Sequence, residues 1–381
     1  MKIGILTFHS VANFGANIQS SSTYFKLKSL GHDVCIVNYK DSRSEQKHRK
    51  VAGEEQYELH QNYFETYIKQ SPVLRNNDDV ADYIKQWQPD LIICGGDAVL
   101  MHEPNGTPDR QYGNPFWLSW MKNIPDPPVA CYLSASSRGS DFSKIPKQFH
   151  RDIADIFNQV RYFSTRDNWT TRQVQWITGG KQIPFHCPDP AFAFEIDVPI
   201  PQKYSATAIS RKQSYILLQA NSRNLSKKWV KEFRQLAHQQ GLEVYSFPTT
   251  FGNSNFDLDE TISLPLHPLE WYSWIQNAAG CITRLFHGQI CSMSAGVPFI
   301  TIDTQQRYPW LSQNKSRAHD LAVRAACQGR IKPTISARYL MSPRKAIKLL
   351  QHTYKPTIMS YAELARDLYS RTINRILESV K

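Results

Sequence analysis

The stretch Cys281–Ile300, CITRLFHGQICSMSAGVPFI, runs from a short apolar strand into a His-Gly step, then a small-residue helix and a second apolar strand. His287 thus sits where a strand hands over to a helix. Such an end disfavours the imidazolium form, and a bound dianion favours it again. A ring that gains its proton when an anionic substrate arrives suits general acid work. Gly288 leaves room beside the ring, and Thr283 and Arg284 are placed to orient it or to meet the anion. The alternative is a turn histidine with a structural role.

Other residues of this kind fall at the ends of apolar runs. Arg166 closes YFSTR with Asp167 beside it. An arginine there suits a planar bidentate anion clamp, or makes an energetically quiet surface salt bridge. Gly95-Gly96-Asp97 follows LIIC. Two glycines allow close backbone approach to a ligand or a positive φ, and Asp97 can accept from a sugar hydroxyl or cap a turn. Asn13, Gly15, Ala16 and Asn17 precede a helix whose first N–H groups suit phosphate or carboxylate. A capped turn reads equally well there. Asp189, between Pro188 and Pro190, reads as a turn. HExxH, GxSxG, P-loop and EF-hand spacings are absent, as is a carboxylate pair of the glycosidase kind. No cluster calls for a metal or a cofactor.

These positions must be held by the elements around them. KIGILTF is a continuous apolar run, as in a parallel strand covered on both faces. A helix ending near Gly31 and the strand HDVCIVNY complete a βαβ opening. Strands at PDLIIC, PVACYLSAS and YFSTR follow, with helices between. The pattern restarts at SYILLQA and continues through LEVYSFP and the Cys281 stretch. The fold class is therefore α/β, with two Rossmann-like doubly wound domains facing a cleft. Domain bounds fall at 1–196 and 213–357, with a linker at 197–212 and a C-terminal helix at 358–381 that crosses back. In such sheets ligands bind beyond the carboxyl ends of the strands, which is where the residues above lie. The polar segment from Lys40 to about Gln70 reads as an excursion at the rim of the first domain, and the loop Met101–Asn114 is long enough to cover a site.

The chain has 381 residues, enough for two domains, and a net charge of +12. That balance favours anionic partners, but no nucleic-acid-binding motif accompanies it. Seven cysteines without CxxC spacing read as buried reduced thiols. The short apolar start is no signal peptide, and no segment is long enough to span a membrane. A cytoplasmic location is expected.

KIGILTFHSVANFGANIQSSSTYFKLKSLGHDVCIVNY resembles the start of the polysaccharide pyruvyl transferase family, and PDLIICGGDAVL, YLSASSRGS, YFSTRD, PDPAF and ITRLFHGQICSMSAGVPFI resemble its later motifs in order. The resemblance implies a GT-B-like fold and a transferase of polysaccharide or exopolysaccharide biosynthesis. It implies phosphoenolpyruvate as donor substrate and a sugar, glycan, or lipid- or nucleotide-linked precursor as acceptor. The product is a pyruvate ketal, with phosphate released. Arg166 is then a donor-binding residue and His287 the general acid. The same resemblance suggests peripheral association with the inner face of the membrane and no nucleic-acid partner. Arg284-Leu285 stands where many relatives carry Asp-Ser, and Leu100 where many carry an aromatic. The alternatives are a GT-B glycosyltransferase using a nucleotide sugar and a non-catalytic glycan-binding relative.

Overall fold

A computed structural model describes residues 1–9, 11–250, 252–253, 256–305, 315–334, 336–351 and 356–380. The chain forms two compact units, Met1–Val198 with Ala365–Lys381, and Pro199–Leu364. The stretch 197–212, expected as a linker, carries two short helical turns, Gln202–Tyr204 and Ala206–Ile209. Lys381 lies outside the described residues.

The first unit holds a six-stranded sheet in the order β2-β1-β3-β4-β5-β6. Its strands are β1 (Lys2–Leu6), β2 (Asp33–Ile36), β3 (Leu91–Gly95), β4 (Val129–Ala135), β5 (Tyr162–Thr165) and β6 (Phe185–His186). All its neighbours pair in parallel. The β1 and β3 side chains are almost wholly buried on both faces, hence their uninterrupted apolar sequence. The chain leaves β1 for β2 on one side and returns to β3 on the other. The topological switch point therefore lies between β1 and β3, where doubly wound sheets bind ligands.

The second unit repeats the plan in the order β12-β11-β10-β7-β8-β9. Its strands are β7 (Ser214–Gln219), β8 (Leu242–Ser246), β9 (Glu260–Thr261), β10 (Gly280–Thr283), β11 (Phe299–Asp303) and β12 (Ile331–Pro333). Again every pair is parallel. Here the switch point lies between β7 and β10, whose ends meet at Thr283 and Gln219.

The helix Phe14–Ser29 follows β1 and is buried along most of its length. The helix Pro356–Glu378 ends among the first unit's residues, where Tyr369 and Ile373 are buried and the Tyr369 hydroxyl meets Thr23 Oγ1 at 3.2 Å. Residues 40–70 form two helices, Ser42–Ala52 and Glu54–Tyr67. The loop Met101–Asn114 is fastened down: Glu103 N donates to Arg110 O at 2.7 Å and Ser44 Oγ to Asp109 Oδ2 at 2.7 Å. All seven cysteines are buried thiols outside any disulfide. No described helix is long and apolar enough to cross a membrane.

Candidate active site

At the first unit's switch point the turn after β1 is closed from within. Asn13 caps the helix Phe14–Ser29, its Oδ1 accepting from Gly15 N at 3.1 Å. Asn17 is buried, and its Nδ2 donates to His9 O at 2.5 Å while its Oδ1 meets His60 Nδ1 at 2.5 Å. Its amide is thus spent within the protein, on His9 and His60. Gly95 and Gly96 have φ of +146° and +78°. A Cβ at Gly96 would lie 2.0 Å from Gln19 Oε1, and one at Gly95 1.9 Å from Leu133 O. The close approach that these glycines permit is therefore that of Gln19 and strand β4. Gln19 Nε2 in turn donates to Thr7 Oγ1 at 3.0 Å and Phe8 O at 2.9 Å.

Arg166 follows β5 and is buried, with its side chain 1% exposed. One terminal nitrogen, Nη1, donates to Gly96 O at 2.7 Å and to Asp189 Oδ2; the other, Nη2, donates to Asp97 Oδ1 at 3.1 Å. Burial works against its charge, but Asp189, Asp97 and Asp167 outweigh it and raise its pKa. The sequence suggested an open clamp or a surface pair; the guanidinium is instead the centre of a buried ion network. Asp189 does cap a turn, as its place between two prolines suggests, and it also holds Arg166. It caps the turn Pro190–Ala193 through Ala191 N at 3.0 Å while reaching Arg166. Ser134 Oγ, donating to Pro188 O at 2.7 Å, holds that segment in place.

The second unit's switch point is built differently. Thr283 Oγ1 donates to Gln219 Oε1 at 2.6 Å and accepts from Leu285 N at 3.0 Å. This pair locks the two strand ends together and sets the turn that carries Arg284 and His287. A Cβ at Gly288 would stand 2.4 Å from Thr283 Oγ1. Gly288 therefore lets the helix Phe286–Ser294 start hard against β10, and the room beside it belongs to Thr283. His287 is buried in the first turn of that helix, its ring 5.6 Å from Phe286 in an edge-on contact.

Arg284 is half-buried and makes no hydrogen bond or ion pair among the described residues. Burial, then the positive charge of Arg223, lowers its pKa. Arg223 lies on the turn after β7, exposed, and its guanidinium likewise has no acidic partner among the described residues. Two cations without carboxylates thus share the end of adjacent strands β7 and β10, next to a helix start that carries His287. Such an arrangement can hold a carboxylate or phosphate. Arg223 was not singled out from sequence, where it is one basic residue in a polar loop.

The profile of the family described as polysaccharide pyruvyl transferase matches residues 13–306. The chain belongs to that family. The candidate residues from Asn13 to Gly288 all fall within the match, whereas strand β1 and the turn up to Ala12 precede it, so it is a transferase family member with its site candidates inside the shared region. Among solved structures, the chain is similar to the UDP-GlcNAc 2-epimerase of Methanocaldococcus jannaschii, with TM-score 0.59 and 12% identity over 99% of each chain. It is also similar to the Neisseria meningitidis UDP-GlcNAc 2-epimerase bound to UDP-GlcNAc, with TM-score 0.55 and 10% identity over 99% of this chain and 100% of that one. The S. aureus MnaA–UDP structure gives TM-score 0.55 and 13% identity over 98% and 95%. At these identities the likeness is one of fold, two Rossmann-like domains of the GT-B kind. No curated protein sequence matches the chain.

Proposed function

We propose that this transferase moves the enolpyruvyl-derived group of phosphoenolpyruvate onto a hydroxyl pair of a sugar, as a free glycan or a lipid- or nucleotide-linked precursor. Phosphoenolpyruvate is a substrate in this reading, and no cofactor takes part. The observation that carries it is the pair Arg284 and Arg223, uncompensated by carboxylate among the described residues, beside His287. One arginine meets the donor's carboxylate and the other its phosphate, with the amino end of the helix Phe286–Ser294 adding to the field.

His287 then gives its proton to the donor's methylene carbon, leaving an oxocarbenium-like centre at the neighbouring carbon. A sugar hydroxyl attacks that centre and its proton returns to the ring. A second hydroxyl displaces phosphate and closes the ketal, its proton leaving with the phosphate. Atoms balance without oxidation or reduction: one donor and one diol give one ketal and one phosphate. Arg166 is a positioning residue in this scheme. Its network holds the Gly96-Asp97 turn and the Pro188–Pro190 segment at the first unit's switch point.

Incubation with phosphoenolpyruvate and a panel of glycans, followed by phosphate assay and mass measurement, tests the proposal. Acceptor-dependent phosphate release with a pyruvate-sized mass gain is expected. A thermal response to UDP or a UDP-sugar, without any to phosphoenolpyruvate, would overturn it in favour of a nucleotide-sugar transferase. Glycan binding with no turnover across the panel would leave the non-catalytic reading.

A further inference from the structure

Two helices of the second unit begin side by side with the wrong charge for their ends. Lys227–His238 follows β7, and Pro343–Gln351 follows β12. Trp229 Nε1 donates to Met341 O at 2.5 Å, which brings the two starts together. Trp229, Val230 and Phe233 share one core with Ala346, Ile347 and Leu350. The first turns hold Lys227 and Lys228 on one helix, and Arg344 and Lys345 on the other, with no acid in either. A helix start carries partial positive charge, so cations there are unfavourable unless something negative covers them.

All four are exposed and have no ion-pair partner among the described residues. Lys231 and Lys348 extend the same charge one turn further along each helix, both exposed. Between the two starts runs the turn Ser336–Leu340. Arg338 fastens it by donating to Ser222 O at 2.8 Å and Arg223 O at 3.1 Å. At its tip Tyr339 is 70% exposed and Leu340 72% exposed.

We propose that this face docks onto an anionic membrane surface. The four first-turn cations meet lipid phosphates, and Tyr339 and Leu340 enter the interfacial layer. Charge complementarity excludes a second copy of the same face, which would meet like with like. An exposed leucine beside the cations has no use on a phosphate backbone, but it gains from burial among headgroups and acyl chains. The surface rests on these residues alone and not on the donor chemistry.

The test is co-sedimentation of the full chain with vesicles of phosphatidylcholine, and of equal parts phosphatidylcholine and phosphatidylglycerol. Pelleting is expected only with the anionic vesicles, and should weaken as salt rises. The variant K227Q/K228Q/K345Q should lose about fivefold in partition per charge, on the order of a hundredfold in all. Y339S/L340S should lose the part of binding that survives high salt. Phosphate release with a soluble acceptor should be unchanged in both, which separates this surface from the donor site. Equal binding to neutral vesicles, or unchanged binding of the lysine variant, would overturn the proposal. So would heparin binding as tight as vesicle binding together with an indifferent Y339S/L340S, since that marks a general polyanion surface.

Discussion

Each unit places an arginine just beyond the carboxyl end of a strand, and the two have opposite surroundings. Arg166, after β5 in the first unit, is enclosed by Asp97, Asp189 and the Gly96 carbonyl. Arg284, after β10 in the second, has another cation, Arg223, as its charged neighbour. The first arginine is already paired with carboxylates of its own protein. The second has no compensating carboxylate among the described residues. What separates the two is whether carboxylates from distant segments are delivered to the strand end.

The largest expected effect lies where chemistry is assigned. His287→Ala should lower phosphate release by about a hundred- to ten-thousandfold, the usual worth of a general acid, with an unchanged melting temperature. Undiminished turnover would remove the second switch point from the mechanism.

Next comes the scaffold. Arg166→Met leaves Asp97 and Asp189 buried without their cation, which should cost about 3–5 kcal/mol in urea unfolding. Replacing both carboxylates by leucine as well should recover most of it. A stable single variant with lost donor binding would instead make Arg166 a ligand contact, and the contrast between the units would collapse.

A buried histidine supports the first unit's turn and gives a pH signature. His9 is buried between Thr7 O and Asn38, and burial brings its pKa down to about 4. The folded protein keeps it neutral to lower pH than the unfolded chain does. Stability therefore falls as pH drops from about 6.5 towards 4, by about 3 kcal/mol from this group. His9→Gln should flatten that part of the profile.

Arg284→Met should raise the KM for phosphoenolpyruvate about ten- to a hundredfold, the worth of one charge-assisted hydrogen bond. Stability should hold or rise slightly, because the crowding with Arg223 is relieved. The smallest effect is that of Asn13→Ala, a lost helix cap of about 1 kcal/mol. Donor binding should be untouched by it; a changed KM would draw the β1 turn into the donor site.

Much of the fold was legible because its strands are buried on both faces. Runs such as KIGIL and LIICG permit little else. The His-Gly step was legible as a strand-to-helix turn for the same reason. The two- and three-residue strands β6, β9 and β12 carry no such pattern and were not foreseen. At the sites, residue type and position indicated where to look but not who pairs with whom. Asp189 read as a turn residue because its partner lies 23 positions away in sequence. Gly96 has the positive φ that a Gly-Gly step suggests, and its close approach to Gln19, like that of Gly288 to Thr283, is one that local sequence does not reveal. That Arg223, in the loop after a strand, neighbours Arg284 follows only from the pairing of β7 with β10.

The buried cysteines have a practical consequence. Burial pushes the thiols of Cys131 and Cys281 up to about 12, and those of Cys187 and Cys327 to about 11. Almost none is thiolate at neutral pH, so alkylating reagents act only on molecules that have opened. Cys35, Cys94, Cys131 and Cys187 belong to the first unit, and Cys281, Cys291 and Cys327 to the second. Peptide-resolved alkylation therefore serves as two built-in clocks, each timing the opening of one unit without an added label. Arg166→Met should quicken the first clock and leave the second at its own pace.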